Sequence, residues 1–578
     1  MGAFLLLRRP TGLSVEEMES LHGESIGVFA KKGLQLNQRI VTSTFVVYVF
    51  HKYRFQSDNV VHIGNDQFVA GTGTCMYKGR IGASALRELH DDFSESGAFL
   101  SDVSGNYCLI VAKNGRLYVL NDYTGLYYVY CDRSRNIFSS SLVAVAKSLE
   151  KKRISPQEFY EYVINGAYYG DRTPVEDVDL IDSRSILQLS PELSAIPKTP
   201  GFLSVDGGKS FDKMLQAVSN DLVQYFETLK TNFGDSVCSA LTGGFDTRLL
   251  LAVMRKVGIS PYLYVYGDKN SSDVRIATQI ARGEGLEIDC EDGSDLPKLD
   301  EEEFERSLER QYYLLDGLGH EYGVFDNGMD LCGRLKRTEK ARLQLNGGGG
   351  GLFRDFWVLP DKSLRVESFL KSKYDFMDYS VFSPSFDKTS YFKTFANKIR
   401  LILDTTSDRI DRRQIAMLLP SLHLKYWMGN NNSLNNQFAY MLTPYADTRF
   451  VTRALDIPLR YRQLGVFQAA LIKHIDPDLA RYGSQYGFDF YRGVGFSARA
   501  RHYFKVRTPT AVRPYVRRHL LYPRKKGSLP AHLTRGYLER VFDLDDLQVS
   551  KYVNVNRIDD PELLSRVLSV ELLVTDRF

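Results

Sequence analysis

The chain has 578 residues and a mass of 65.8 kDa, too long for a single hydrophobic core, so two or three domains are expected. Its 43% apolar and 25% charged residues match an ordinary globular protein, and no apolar run of about 18 residues offers a membrane span. The net charge of +4 is too small to argue for a nucleic-acid partner. At the start, "MGAFLLLRRP" places its apolar residues ahead of Arg8 and Arg9, the reverse of a secretory signal. Leu6 stands where N-myristoylation requires Ser or Thr, and a cytoplasmic protein is expected. The cysteines Cys75, Cys108, Cys131, Cys238, Cys290 and Cys332 lack CxxC spacing and read as buried reduced thiols, not as a disulfide framework or zinc site.

Up to about residue 200, short β-like runs alternate with turn residues: "STFVVYVF", "NYCLIVAKNGRLYVLND" and "LYYVYCDRSRNIFSSS". Asn114-Gly115 between two apolar runs is a strong hairpin signal, and "DRSRN" turns the next pair, so antiparallel sheet is expected here. "SVDGGKS", 204–210, reads as a linker. Beyond it the pattern becomes helical in "FDKMLQAVSNDLVQYFETLKT". Strand "SVCSALT" and helix "RLLLAVMRKVG" follow, with Gly258 suited to the helix C-terminus. Strand "PYLYVYG" and helix "SSDVRIATQIARGEG" come next, the helix capped by Ser271 or Ser272. "LEIDC" and "ARLQLNG" supply a third and a fourth strand. This alternation predicts a parallel, doubly wound sheet whose ligand sits at the carboxyl ends of its strands. The remainder, about 360–578, reads as mostly helical.

The bend "LTGGFDTR" joins the first of those strands to its helix. A helix start presents unpaired N–H groups with the helix dipole behind them, which attracts anions. Gly243 and Gly244 let the backbone approach a phosphate, and the hydroxyls of Ser239, Thr242 and Thr247 add donors. Asp246 would repel a phosphate unless Mg²⁺ lay between them. The plainer alternative is a tight turn in which Asp246 only caps the helix. Neither a GxGxxG nor a Walker pattern is present.

"TGGFDTR" resembles the pyrophosphate loop, SGGxDS, of asparagine synthetase and its relatives, which include β-lactam synthetases and lasso-peptide cyclases. "SSDVRIATQIARGEGLEID" is similar to that family's segment after the second strand. "LTPYADTRFVTRALDIPLRYR", with Pro444, Asp447 and Pro458, resembles its R-x-P-F-x-D element. "SGNYCLIVAKNGRLYVLNDYTGLYYVYCDRSRNIFSSSLVAVAKSL" is similar to the end of a class II glutamine amidotransferase domain. The resemblance covers nearly the whole chain in order. It implies an amidotransferase-like sandwich over 1–205 and an ATP-pyrophosphatase domain over 206–578, an α/β architecture with a helical C-terminal part. The implied reaction uses ATP and Mg²⁺ to turn a carboxylate into an acyl-adenylate, which ammonia or an amine converts to an amide. Ser239, Thr242, Gly243, Gly244, Asp246 and Thr247 would then hold pyrophosphate and magnesium, Leu241 would touch adenine, and Tyr266, Gly267, Asn346 and Gly347 would border the adenosine.

Three departures qualify the resemblance. Glutaminase chemistry needs an N-terminal Cys, and this chain has Gly2, so no glutamine hydrolysis is expected. "LNGGGGGLFRDFW" replaces an acid-bearing loop, reading either as a flexible glycine loop or as one contacting phosphate, with Asp355 too late to be a metal ligand. Gln468 falls where relatives place a catalytic Lys, making Lys473 the candidate substitute against the alternative of a surface lysine. His320, Glu321 and Tyr322 lie where relatives bind their carboxylate substrate. The segment 497–526 is basic and free of acids, and reads as a solvated face or as a surface for an anionic substrate or membrane. The expected partners are a small-molecule, peptide or sugar carboxylate, an ammonia-supplying protein, and a second copy in a homodimer. The rival reading is a catalytically inactive relative serving as a nucleotide-binding or assembly partner.

Overall fold

The computed structural model describes residues 2–10, 12–56, 58–64, 66–198, 210–292, 299–518 and 529–578. Alternating apolar residues build two six-stranded antiparallel sheets in the N-terminal part. One runs, in spatial order, Val178–Leu180, Tyr130–Asp132, Ile137–Ser139, Ala3–Arg8, Phe45–Phe50, Leu36–Val41. The other runs Ser194–Pro197, Ser185–Ser190, Arg116–Asn121, Val103–Lys113, Gln67–Tyr77, Val60–Gly64. Period-two alternation then decides the layers. Phe4, Leu6, Val47 and Val49 pack against Phe68, Ile110 and Val119 of the second sheet. Leu5, Leu7 and Val46 face the opposite way, onto the helices Gly23–Lys31, Leu142–Ala146 and Pro156–Asn165. Helix Ala83–Asp92 covers the outer face of the second sheet, completing a helix–sheet–sheet–helix sandwich. The Asn114-Gly115 turn pairs Lys113 with Arg116, and both turn residues have positive φ, 53° and 74°, the geometry that matches the strand twist.

The second half is built on a five-stranded parallel sheet. Its spatial order is Ile288–Glu291, Tyr262–Tyr266, Val237–Ala240, Leu343–Leu345, Tyr440–Leu442, or third, second, first, fourth, fifth in the chain. The four expected strands are present, as are the helices Phe211–Phe233, Phe245–Lys256 and Ser272–Gly283. Ser271 caps the last of these through its hydroxyl, which accepts from the Val274 N–H at 3.3 Å. The segment 360–578 is mostly helical, as read, and also contributes the fifth strand, Tyr440–Leu442. Three residues are too few to show a period, and only pairing with Leu343–Leu345 makes them a strand. The 204–209 part of the linker, and with it the expected 205/206 boundary, lies outside the described residues, as does 519–526 of the basic segment. The reading of all six cysteines as buried is corrected, because Cys290 and Cys332 are exposed.

Polar contacts tie the two halves together. The Met441 N–H donates to Thr74 Oγ1 at 2.9 Å, and the Thr443 N–H to Asn106 Oδ1 at 3.1 Å. Lys32 Nζ lies 2.7 Å from Asp316 Oδ1, both residues being buried. No helix among the described residues is long and apolar enough to cross a membrane.

Candidate functional site

The strand Val237–Ala240 and its neighbour Leu343–Leu345 are the central pair of the parallel sheet, and chain order reverses between them. Each runs at its carboxyl end into a glycine loop. In the first loop, the Thr242 N–H donates to Thr247 Oγ1 at 3.0 Å, and the two hydroxyls are 3.0 Å apart. The Gly244 N–H donates to Thr242 Oγ1 at 3.2 Å, and the Gly243 N–H to Asp273 Oδ1 at 2.9 Å. An anion binding at Gly243 must therefore displace Asp273. Gly243 is closely packed: a Cβ there would lie 2.8 Å from Ile276 Cδ1, which would have to shift. The helix Phe245–Lys256 that follows has no side-chain cap, so its first-turn N–H groups face whatever lies before the bend.

Asp246 is the centre of the site. Arg354 Nη2 donates to its Oδ2 at 2.6 Å and Gln468 Nε2 to its Oδ1 at 2.9 Å, while Tyr445 OH donates to its backbone carbonyl at 2.9 Å. Arg354 also donates from Nη1 to Tyr486 OH at 2.8 Å and lies over the Phe245 ring. Arg354 Nε and Gln468 Oε1 are buried without a partner among the described residues. Arg354 and Gln468 each take one lone pair of the Asp246 carboxylate, so a magnesium ion there would share the group with both. Among the described residues no group of three or more His, Cys, Asp or Glu that could hold a metal gathers anywhere.

The second loop, read from sequence as either flexible or in contact with phosphate, is packed tightly against its neighbours. A Cβ at Gly350 would lie 2.3 Å from Asp246 Oδ1, one at Gly348 2.6 Å from Met428 Cε, and one at Gly351 2.8 Å from Phe356 Cδ2. Gly349 has φ +89°, so glycine is favoured there on backbone grounds as well. Asn346 Oδ1 accepts from the Gly348 N–H at 2.8 Å, and Gly347 rests on Thr247 and Asp246. The loop thus approaches the first loop closely. Asp355 pairs with Arg412 at 2.6 Å.

The other candidates divide into groups. Leu241 and Ser239 are buried, the Ser239 hydroxyl donating to the Ala240 carbonyl at 3.2 Å. At the end of the second strand Tyr266 is 53% exposed, and its ring is backed by the Arg337 guanidinium at 5.2 Å. Arg337 is itself anchored to Glu291 Oε2 at 2.7 Å. Gly267 has φ +121° and donates its N–H to the Glu291 carbonyl. Lys473 is placed elsewhere: it donates to the Tyr491 carbonyl at 3.2 Å and lies over that ring. Gln468 and Lys473 share the helix Val466–Ile475, and five residues at 100° each turn Lys473 well away from the face that reaches Asp246. His320, Glu321 and Tyr322 are not drawn to the bend. The Glu321 carbonyl accepts from Arg566 at 3.3 Å, and Tyr322 is exposed. His320 meets Trp427 edge-on at 5.2 Å, and burial holds its pKa down at about 4. Sequence reasoning missed Arg354, Tyr445 and Asp273. Arg354 follows the glycine run by three positions, and a lone basic residue there carried no local signal.

Just before the strand Ala3–Arg8, Gly2 has neither a thiol nor space for one. A Cβ there would lie 2.7 Å from the His51 carbonyl oxygen and 3.0 Å from that of Gln437. The cavity beside Gly2 measures about 10 Å³, room for a single water.

No protein-family model matches the chain, and no curated protein does. Solved structures similar to part of it include the following two. Glutamine phosphoribosylpyrophosphate amidotransferase from B. subtilis, complexed with ADP and GMP, is 10% identical with a TM-score of 0.23, over 51% of this chain and 66% of that one. A structure described as the allosteric regulatory enzyme of purine biosynthesis is 11% identical with a TM-score of 0.23, over 53% of this chain and 70% of that one. The chain spans just under two thirds of the first of these, and a likeness at this level assigns no activity.

Proposed function

We propose that the chain is an ATP-dependent, amide-forming ligase that activates a carboxylate as an acyl-adenylate and passes it to ammonia or an amine, without a glutaminase of its own. One observation carries this reading: two glycine loops, 242–247 and 346–351, meet on Asp246 beyond the carboxyl ends of the two central strands. That is the switch point at which doubly wound sheets take nucleotides. The uncapped helix start supports a phosphate there, and the Arg337-backed face of Tyr266 suits a stacked base. The positive charge expected of a lysine at Gln468 comes instead from Arg354, whose planar fork matches phosphate oxygens. Gly2 supports an external or substrate-borne nitrogen. ATP–pyrophosphate exchange across a panel of carboxylates tests the reading. Exchange above the acid-free background is expected, falling about 100-fold or more in Arg354→Met, the scale for removing a transition-state donor.

The inactive alternative is favoured by one observation, the engagement of both Asp246 oxygens by Arg354 and Gln468. ATP binding without exchange for any acid would select it.

A further inference from the structure

A cavity of about 400 Å³ opens beside the glycine loops, in the size range of small-molecule sites. It adjoins the loops through Phe356, whose ring fills the space a side chain at Gly351 would need. Its floor is aromatic. The His423 and Trp427 rings stack at 5.1 Å and 9°, Phe356 joins His423 at 5.0 Å, and Trp357 stands edge-on to Phe356 at 4.9 Å. Burial holds the His423 pKa down at about 4, so the floor is uncharged at neutral pH.

Four cations, Lys373, Lys505, Arg513 and Arg517, line the same cavity, and no Asp or Glu does. Three of the four belong to the basic segment: Arg513 is buried and Arg517 half-buried, while Lys505, like Arg499, Arg501, Arg507 and Arg518, is exposed. Lys373, Lys505 and Arg513 form no ion pair among the described residues. Arg513 spends its donors on the carbonyls of Val358, Lys505 and Thr508, and the one carboxylate whose charge reaches it, Asp355, is already paired with Arg412. Lys373 donates to the Trp357 carbonyl, and burial with its cationic neighbours holds its pKa down at about 7. Like charges gathered over an apolar floor are costly without a counter-ion.

We propose that this cavity binds an organic anion with an apolar body, its charged head held by Lys373, Lys505, Arg513 and Arg517 and its body packed against Trp427 and Phe356. On the ligase reading, which this step alone rests on, the bound molecule is the acid to be activated. The binding itself does not need ATP.

Trp357 and Trp427 are the chain's two tryptophans and both line the cavity, so intrinsic fluorescence reports on it directly. The full chain, without nucleotide, is titrated with 4-nitrobenzoate, 4-nitrophenyl phosphate and neutral 4-nitrobenzamide. At least one anion is expected to quench saturably, at least tenfold tighter than the amide. The carboxylate or the phosphate binding tighter identifies the head group. Lys373→Met should erase that preference while leaving the amide unchanged, and Lys505→Met, on an exposed helix, serves if the first variant does not fold. Equal affinity for the amide, no saturable quenching by either anion, or an undiminished preference in the variants would overturn the proposal. Quenching by an acid that supports no pyrophosphate exchange would retain the cavity and count against the ligase reading. Exchange with an acid that does not quench would do the reverse.

Discussion

Substitution of Gly350 by Ala tests how the two loops meet. The added methyl would lie 2.3 Å from Asp246 Oδ1, 2.6 Å from its Cγ and 2.9 Å from its Cβ. To reach ordinary contact the carboxylate must withdraw by about 1 Å, which breaks the 2.9 Å bond from Gln468 and disturbs the 2.6 Å pair with Arg354. Overpacking costs about 1–3 kcal/mol and a lost charge-assisted hydrogen bond about 1.5–3 kcal/mol. Removing a glycine from the unfolded chain returns about 0.4–1 kcal/mol. The net expectation is a loss of about 2–4 kcal/mol in urea unfolding. Gly347→Ala is the control, since its methyl would meet Thr247 Cγ2 at 3.3 Å and the Asp246 carbonyl carbon at 3.4 Å, a contact that small shifts relieve. It should change stability by less than about 1 kcal/mol. In the background of Asp246→Ala, the cost of Gly350→Ala should fall, because the atoms it strikes first are gone. Equal losses for the two glycines, or a cost indifferent to Asp246→Ala, would refute the account of a loop built to admit Asp246.

Three further outcomes follow from the same structure. Asp316 accepts from Lys32 Nζ at 2.7 Å and from the Leu142 N–H at 2.6 Å, so Asp316→Ala, which strands a buried ammonium, should cost about 3–5 kcal/mol in urea unfolding; a loss below 1 kcal/mol would contradict it. Gly2→Cys should release no ammonia from glutamine and should lower the thermal midpoint, because its Cβ would lie 2.7 Å from the His51 carbonyl oxygen. Burial, and then the charge of Asp330, raise the pKa of Asp326 from 3.8 to about 7. The folded chain thus holds a proton that the unfolded chain releases in this window, and stability is lost as pH rises from about 4 to 7. Asp326→Asn should therefore gain on the parent over that interval and hold the gain above it; a difference independent of pH would exclude the linkage.

Much of the architecture lies in local patterns. The β-like run "STFVVYVF", the Asn114-Gly115 turn, the Ser271 cap and the strand–helix alternation from 237 to 345 all read correctly, because each depends on residues within a few positions of one another. The strand Tyr440–Leu442 did not, because it is a strand only by virtue of the neighbour it pairs with. The site divides the same way. The bend at 242–247 was legible as a strand running through glycines into a helix. Its electrostatics were not: Asp246 and Arg354 are 108 residues apart, and Asp246 and Gln468 are 222. The glycine run, ambiguous as a string, becomes a packing requirement once Asp246, Met428 and Phe356 fill the space beside it. Likewise, a basic stretch shows its charge in the string but not the direction it faces. Hydrogen bonding and apolar periodicity act over one or two turns of chain and are written there, whereas the partner of a buried charge is set by where distant segments return, which only close packing of the whole chain decides.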